Sequence, residues 1–277
     1  MDYKYTLEKD IKTGYVRIAF AESTRWPEDQ SPFRGAEILF GHTFPCYAMM
    51  TYLADAERFL EQGSMLPASV DEEHPEINVG RYCDNIGFCR GSWRDVVHAG
   101  ISEGSIFPED TVFVESEFKI SFFPRAVLLE ILRDYLRACE ECCQAHLRWL
   151  KHRKYQYTIC FDYDWGHAGL KPRDRNDAAL CWITSERDSF RMVPAEQLVD
   201  RSTCRPFACK FRKDWVIYGF LGEEGCHRFH CLPMNVFLRI AGELDHVEAE
   251  HSASPYEKRL KKQWRQVQLS GKLWPMP

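Results

Sequence analysis

The stretch from Thr111 to Lys154, "TVFVESEFKISFFPRAVLLEILRDYLRACEECCQAHLRWLKHRK", constrains the fold more than any other part of the 277-residue chain. Its opening alternates apolar and polar residues with the period of a half-buried β-strand. Pro124 then lacks an N–H where the first turn of a helix leaves its donors unpaired in any case. Beyond it, Leu128, Ile131, Leu132, Tyr135, Cys139, Cys142, Cys143, His146 and Leu150 recur at helical spacing. A helix is therefore predicted over about 125–151, with basic residues at its electronegative end. A strand leading into a long one-sided helix calls for an α+β fold of antiparallel strands and packed amphipathic helices.

The same order of strand, proline and helix reads at Pro45 ("HTFPCYAMMTYLADAERFL") and at Pro233 ("HCLPMNVFLRIAGELDHVE"). Aligned on the prolines, Met50, Leu129 and Leu238 coincide, and the last two copies share Val127/Val236 and Ile131/Ile240. Unequal spacing excludes a solenoid array. Two readings stand: a duplication giving two related strand–Pro–helix halves, or repeated use of proline at helix starts.

Elsewhere, "YKYTLEKD" and "YVRIAFAE" around Gly14 predict a β-hairpin, and residues 22–36 a loop. The apolar run to Phe44 is expected as a strand or extended segment. A helix should follow Pro45 through Met49, Met50, Leu53, Ala56 and Leu60 to a stop at Gly63. "YQYTICFDYDW" and "AALCWITSE" predict two strands of a long-looped hairpin, and "SFRMVPAEQLVDR" a strand and short helix. "DWVIYGFLGEEGCHRFHCLP" reads as two strands about a tight turn, leading into a helix.

Charge divides the chain. Residues 1–118 carry 10 Lys/Arg against 21 Asp/Glu, and residues 119–277 carry 26 against 20. The expected organisation is an acidic N-terminal α+β half, 1–118, and a C-terminal α+β half, 119–277, with a single domain as the alternative. An acidic front half attracts basic partners and repels nucleic acid, although acidic groups also simply solvate loops such as "DEEHPE". The polar, charged N-terminus lacks the pattern of a signal peptide, and no apolar run approaches the length of a membrane span. The expectation is a cytoplasmic protein with no membrane partner. Its twelve cysteines are expected mostly as reduced, buried small hydrophobes.

Three segments compete as sites. In "GCHRFHC", Cys226, His227, His230 and Cys231 offer metal ligands, a Cys/His pair, or a buried strand end. On a strand, neighbouring residues face opposite ways, so only one Cys/His pair reaches a given point. A zinc site would need a second segment, and "CEECCQAH" offers Cys139, Cys142, Cys143 and His146. Those positions continue an apolar helical stripe, so neither a metal nor a cofactor is expected. No Walker loop, dinucleotide fingerprint, zincin motif or nucleophile elbow occurs. In "FDYDWGHAG", Asp162, Asp164, Trp165 and His167 read first as turn chemistry, then as a recognition loop, then as catalytic carboxylates. The tail from Tyr256 reads as a basic amphipathic helix (Tyr256, Leu260, Trp264, Val267) that docks on the body, the alternatives being a membrane or an acidic partner.

The functional expectation is a non-enzymatic cytosolic protein that sequesters a basic protein partner, of the immunity-protein or antitoxin type. Its candidate binding residues are Asp162, Asp164, Trp165 and His167. The competing expectation is a Cys/His or carboxylate-dependent enzyme, or a zinc-stabilised module.

Overall fold

The computed structural model describes residues 2–41, 44–62, 76–79, 84–89, 110–162, 167–174, 180, 191–192, 206–220 and 228–251. Helices and antiparallel sheets make an α+β chain, in two compact units, residues 1–149 and 150–277. No described helix is long and apolar enough to cross a membrane.

The first unit opens with the antiparallel hairpin of β1 (Tyr5–Asp10) and β2 (Tyr15–Phe20). Alternation along β2 buries Val16, Ile18 and Phe20. Among the described residues two 3-10 turns, Ser23–Arg25 and Glu28–Gln30, and then three short α-helices follow: α1 (Arg34–Gly41), α2 (Cys46–Tyr52) and α3 (Ala56–Gln62). An antiparallel sheet then runs in chain order, β3 (Glu76–Asn78), β4 (Asn85–Phe88), β5 (Thr111–Ser116) and β6 (Lys119–Pro124). The long helix α4 (Arg125–His152) begins directly after Pro124 and matches the predicted span. Phe20, Phe33 and Phe123 fill the core, with Phe20 and Phe33 stacked at 4.3 Å.

The second unit contains the hairpin of β7 (Tyr157–Asp162) and β8 (His167–Pro172). Its sheet is ordered β9 (Arg191–Met192), β10 (Pro206–Phe211), β11 (Trp215–Phe220) and β12 (Arg228–Pro233). The helix α5 (Met234–His251) follows Pro233. Its core joins Ala168, Leu170, Tyr218, Phe237, Ile240 and Leu244, among others.

Several expectations change. The apolar run before Phe44 is the helix α1, not a strand. Its Gly35, Ala36, Ile38, Leu39 and Phe40 are all buried, and an apolar run this short does not by its pattern separate helix from strand. The helix expected after Pro45 breaks in two at Leu53–Asp55. With a helix before it and only seven residues in the helix after it, Pro45 does not begin a third copy of the strand–Pro–helix unit. "TVFVESEFKISFF" is not one strand but the hairpin β5–β6, reversing at Glu117 and Phe118. The partner of β7 comes from the segment expected as a polar loop, not from "AALCWITSE", whose one described residue, Leu180, is helical and buried. Strands β3, β4 and β10 have no counterpart among the expectations.

The two units repeat one plan of hairpin, sheet, proline and helix. The hairpins align without a gap: Tyr3/Tyr155, Tyr5/Tyr157, Thr6/Thr158, Leu7/Ile159, Asp10/Asp162 and Gly14/Gly166. The strand registers coincide, Asp10 facing Tyr15 as Asp162 faces His167. In each unit the tyrosine that opens the hairpin donates to a carboxylate ten residues beyond the proline: Tyr5 to Asp134 at 2.9 Å, Tyr157 to Glu243 at 2.7 Å. The first amide of each helix donates to the carbonyl of an aspartate preceding a sheet strand, Arg125 to Asp110 at 2.9 Å and Met234 to Asp214 at 2.8 Å. Burial also runs in phase, with Leu128, Ile131, Leu132 and Tyr135 matching Phe237, Ile240, Ala241 and Leu244. One difference is the direction of the first sheet strand: β3 is antiparallel to β4, and β9 is parallel to β10.

Candidate functional site

The tip of the β5–β6 hairpin is built for display. Glu117 and Phe118 have φ of 49° and 63°, the two left-handed central residues of a type I′ turn, positions that normally take Asn or Gly. A side chain in that region costs about 1–2 kcal/mol per residue. Phe118 is nonetheless 71 % exposed, the most exposed of the large hydrophobic side chains described. Its base is rigid. The Ser116 hydroxyl donates to the buried Asp84 at 2.6 Å, and Asn85 donates to Glu115 at 3.1 Å. The backbone of α1 presses against this base at Gly35, where an added Cβ would stand 2.4 Å from the Lys119 carbonyl oxygen. An exposed aromatic ring is the kind of side chain enriched at protein–protein interfaces, and here Glu115, Glu117 and Lys119 stand near it in the chain. The sequence signal for this turn was the polar triplet Glu115-Ser116-Glu117, which interrupts the alternation.

The predicted loop is placed in part. Asp162 ends β7 and pairs with His167, the half-buried first residue of β8. Asp164 and Trp165 lie outside the described residues. The first-unit hairpin carries Asp10 at the matching sequence position. The Asp10 carboxylate accepts the Lys12 and Thr13 amides at 2.9 and 3.4 Å, and the Asp10 carbonyl accepts the Gly14 amide at 2.8 Å. Hydrogen bonding with Thr13 lowers the Asp10 pKa.

The sulfur-rich helical segment lies under that first turn. Cys139, Cys142, Cys143 and His146 are buried on α4, and Cys46 of α2 joins them. Cys46 hydrogen-bonds Cys142 and Cys143; those bonds and then burial raise its pKa far above that of a free thiol. Burial pushes Cys139 up to about 12. The Cys142 thiol reaches the carbonyls of Tyr15 and Asp10 at 3.7 and 3.8 Å, and His146 Nδ1 lies 2.7 Å from the Ile11 carbonyl. The hydrogen bond with Cys46 lowers the Cys142 pKa, whereas Cys46 and Cys139, held protonated, pack and are poor nucleophiles. Of the second segment, His230 and Cys231 are successive residues of β12, with the His230 ring 5.6 Å from that of Tyr218; Cys226 and His227 fall outside the described residues. The two segments belong to different units, and among the described residues no group of three or more His, Cys, Asp or Glu is arranged to hold a metal ion. Cys46, Cys89, Cys139, Cys142, Cys143, Cys160 and Cys231 are free thiols.

Charge follows the compact units. Residues 1–149 carry 15 Lys/Arg against 25 Asp/Glu, and residues 150–277 carry 21 against 16. Comparison with protein-family models, with characterised proteins and with solved structures returns no match.

Proposed function

We propose that this is a non-enzymatic protein that binds and sequesters a basic protein partner through its acidic first unit, as immunity proteins and antitoxins do. The observation that carries this reading is Phe118, an exposed aromatic ring held in a costly backbone conformation at the hairpin tip, between Glu117 and Lys119. Strain of this kind persists where the surroundings over-determine it, and it clusters at functional positions. Phe118 is the hydrophobic anchor, Glu115 and Glu117 supply local charge complementarity, and the acidic unit steers the partner in. Asp162, Asp164, Trp165 and His167 form the candidate second contact. The free thiols suit a reducing cytoplasm.

The test is capture of partners from the source cells on immobilised full-length protein, compared with Phe118→Ala, followed by binding kinetics with the captured protein. The expected result is a basic protein bound by the parent chain, weakened about 30-fold or more by Phe118→Ala, with an association rate that falls as salt rises. Equal capture by the parent and by Phe118→Ala would remove the hairpin tip from the interface and refute the reading.

A further inference from the structure

The second unit carries a groove whose charge is opposite to that of the acidic first unit. At the open end of the β7–β8 hairpin, Tyr157, Lys171, Arg173, Arg239 and Glu243 line an open groove of about 750 Å³. It shares Tyr157, Arg239 and Glu243 with an apolar trough of about 580 Å³ along α5, walled by Ile159, Leu238, Gly242 and Val247. Glu243 accepts the Tyr157 hydroxyl and faces Arg239 at 4.0 Å. The Arg173 guanidinium donates to a neutral amide, Gln156 Oε1 at 3.2 Å, its backbone amide donates to the Gln156 carbonyl at 2.9 Å, and Lys171 is exposed. Among the described lining residues, three cations thus stand with one carboxylate. The internal repeat shows that the shared fold does not require them: the positions equivalent to Lys171, Arg173 and Arg239 are Ala19, Ala21 and Glu130.

The first unit also shows what such a helix face can accept. The first, fifth and ninth residues after the proline form one stripe, Arg125, Leu129 and Arg133 in α4 and Met234, Leu238 and Gly242 in α5. In α4 this stripe meets α3, a short acidic amphipathic helix. Glu57 accepts from Arg133 at 2.7 Å, Glu61 pairs with the same guanidinium, and the carbonyl of the buried Leu60 accepts from Arg125 at 3.4 Å. In α5 the stripe is apolar and half-buried, and the cations stand beside it.

We propose that the trough and groove of the second unit dock an acidic amphipathic helix of a partner protein. Its apolar face lies against Leu238, Gly242 and Val247, and its carboxylates meet Lys171, Arg173 and Arg239. This site is distinct from the hairpin tip and takes a ligand of the opposite charge. Its openness suits a polypeptide rather than a small molecule, which needs enclosure. The apolar trough beside the cations suits an amphipathic helix better than a nucleic acid, whose phosphate backbone offers no apolar face. Strand addition at β8 is blocked, because the Ala168 amide already donates to Glu248 at 3.0 Å and Pro172 has no N–H. The chain's own residues 252–277 carry six Lys/Arg against one Asp/Glu, so charge opposes them as the occupant.

The experiment titrates full-length protein into a fluorescein-labelled, helix-stapled peptide centred on the sequence of α3, AERFLEQ, and reads anisotropy. Saturable binding is expected, weakened about tenfold or more by Lys171→Glu with Arg239→Glu, and likewise by Arg173→Glu, while Glu130→Gln leaves it unchanged. Circular dichroism melts confirm that each variant is folded. The proposal is overturned by absence of saturable binding, by equal binding of a peptide with its glutamates replaced by lysine, or by affinity unmoved in both basic-site variants. Tighter binding of a single-stranded oligonucleotide than of the acidic peptide also overturns it, in favour of a polyanion site.

Discussion

Replacing Phe118 by Gly separates stability from binding at one residue. With φ of 63°, Phe118 pays the left-handed penalty of about 1–2 kcal/mol, which glycine escapes. Glycine loses more entropy on folding, about 0.4–1 kcal/mol, which offsets part of that gain. At 71 % exposure the phenyl ring contributes little burial to the fold, so its removal adds only a small loss. The net expectation is a gain of about 0.5–1 kcal/mol, a rise in melting temperature of about 1–4 °C for a chain of this size. The same substitution removes the proposed anchor and should weaken partner binding by about 2 kcal/mol or more, roughly 30-fold in Kd. Differential scanning calorimetry and surface plasmon resonance on the parent, Phe118→Ala and Phe118→Gly provide both readouts. Phe118→Ala keeps the penalty of a Cβ, so it should lose binding without gaining stability. A Phe118→Gly protein that melts lower than the parent refutes the strain reasoning, and one that melts higher but binds equally well refutes the functional reasoning.

Gly35→Ala should destabilise the first unit by about 3 kcal/mol in a denaturant titration, because its Cβ would collide with the backbone carbonyls of Lys119 and Val114 at 2.4 and 2.6 Å. Gly14→Ala should cost about 2 kcal/mol, from a φ of 76° and a Cβ placed 2.9 Å from the His146 ring, and is checked by the same titration. Tyr5→Phe and Tyr157→Phe should each cost about 1 kcal/mol by chemical denaturation, since each removes the equivalent hydroxyl–carboxylate bond. Cys89 and Cys139 are raised by burial from 9 to about 12, so the folded chain holds protons that the unfolded chain has released. Stability from these thiols is complete below pH 9 and declines as pH rises from about 9 to 12. Urea midpoints across that window should therefore fall, and native thiol alkylation at pH 9 should stay slow at both residues; rapid alkylation there would contradict the raised values.

Much of the architecture was legible because it rests on periodicity and local chemistry. The stripe from Leu128 to Leu150 marks α4, and Pro124 and Pro233 mark two helix starts, since these patterns repeat within a few residues along the chain. The hairpin repeat was also legible, in Tyr5-Thr6-Leu7 against Tyr157-Thr158-Ile159 and in the shared Asp and Gly of the turns, but alignment on prolines alone passed over it. The α1 helix was not legible, because its apolar run Ile38-Leu39-Phe40 is too short for pattern alone to separate helix from strand. Neither was the reversal at Phe118, because local preference disfavours φ above zero there and the pairing of β5 with β6 overrides it.

By itself the sequence determined the α+β class, the long helix, the buried character of the sulfur-rich stripe and the opposite charges of the two ends. Each of these follows from composition or short-range spacing, which solvent exposure and backbone geometry translate directly into structure. Tertiary structure alone decided that Cys46 meets Cys142 and Cys143, that Phe118 stands exposed on a rigid tip, and that Lys171, Arg173 and Arg239 share one groove. These are meetings of residues far apart in the chain or held against their local preference. Their positions depend on how sheet and helix pack, which spacing along the sequence does not encode.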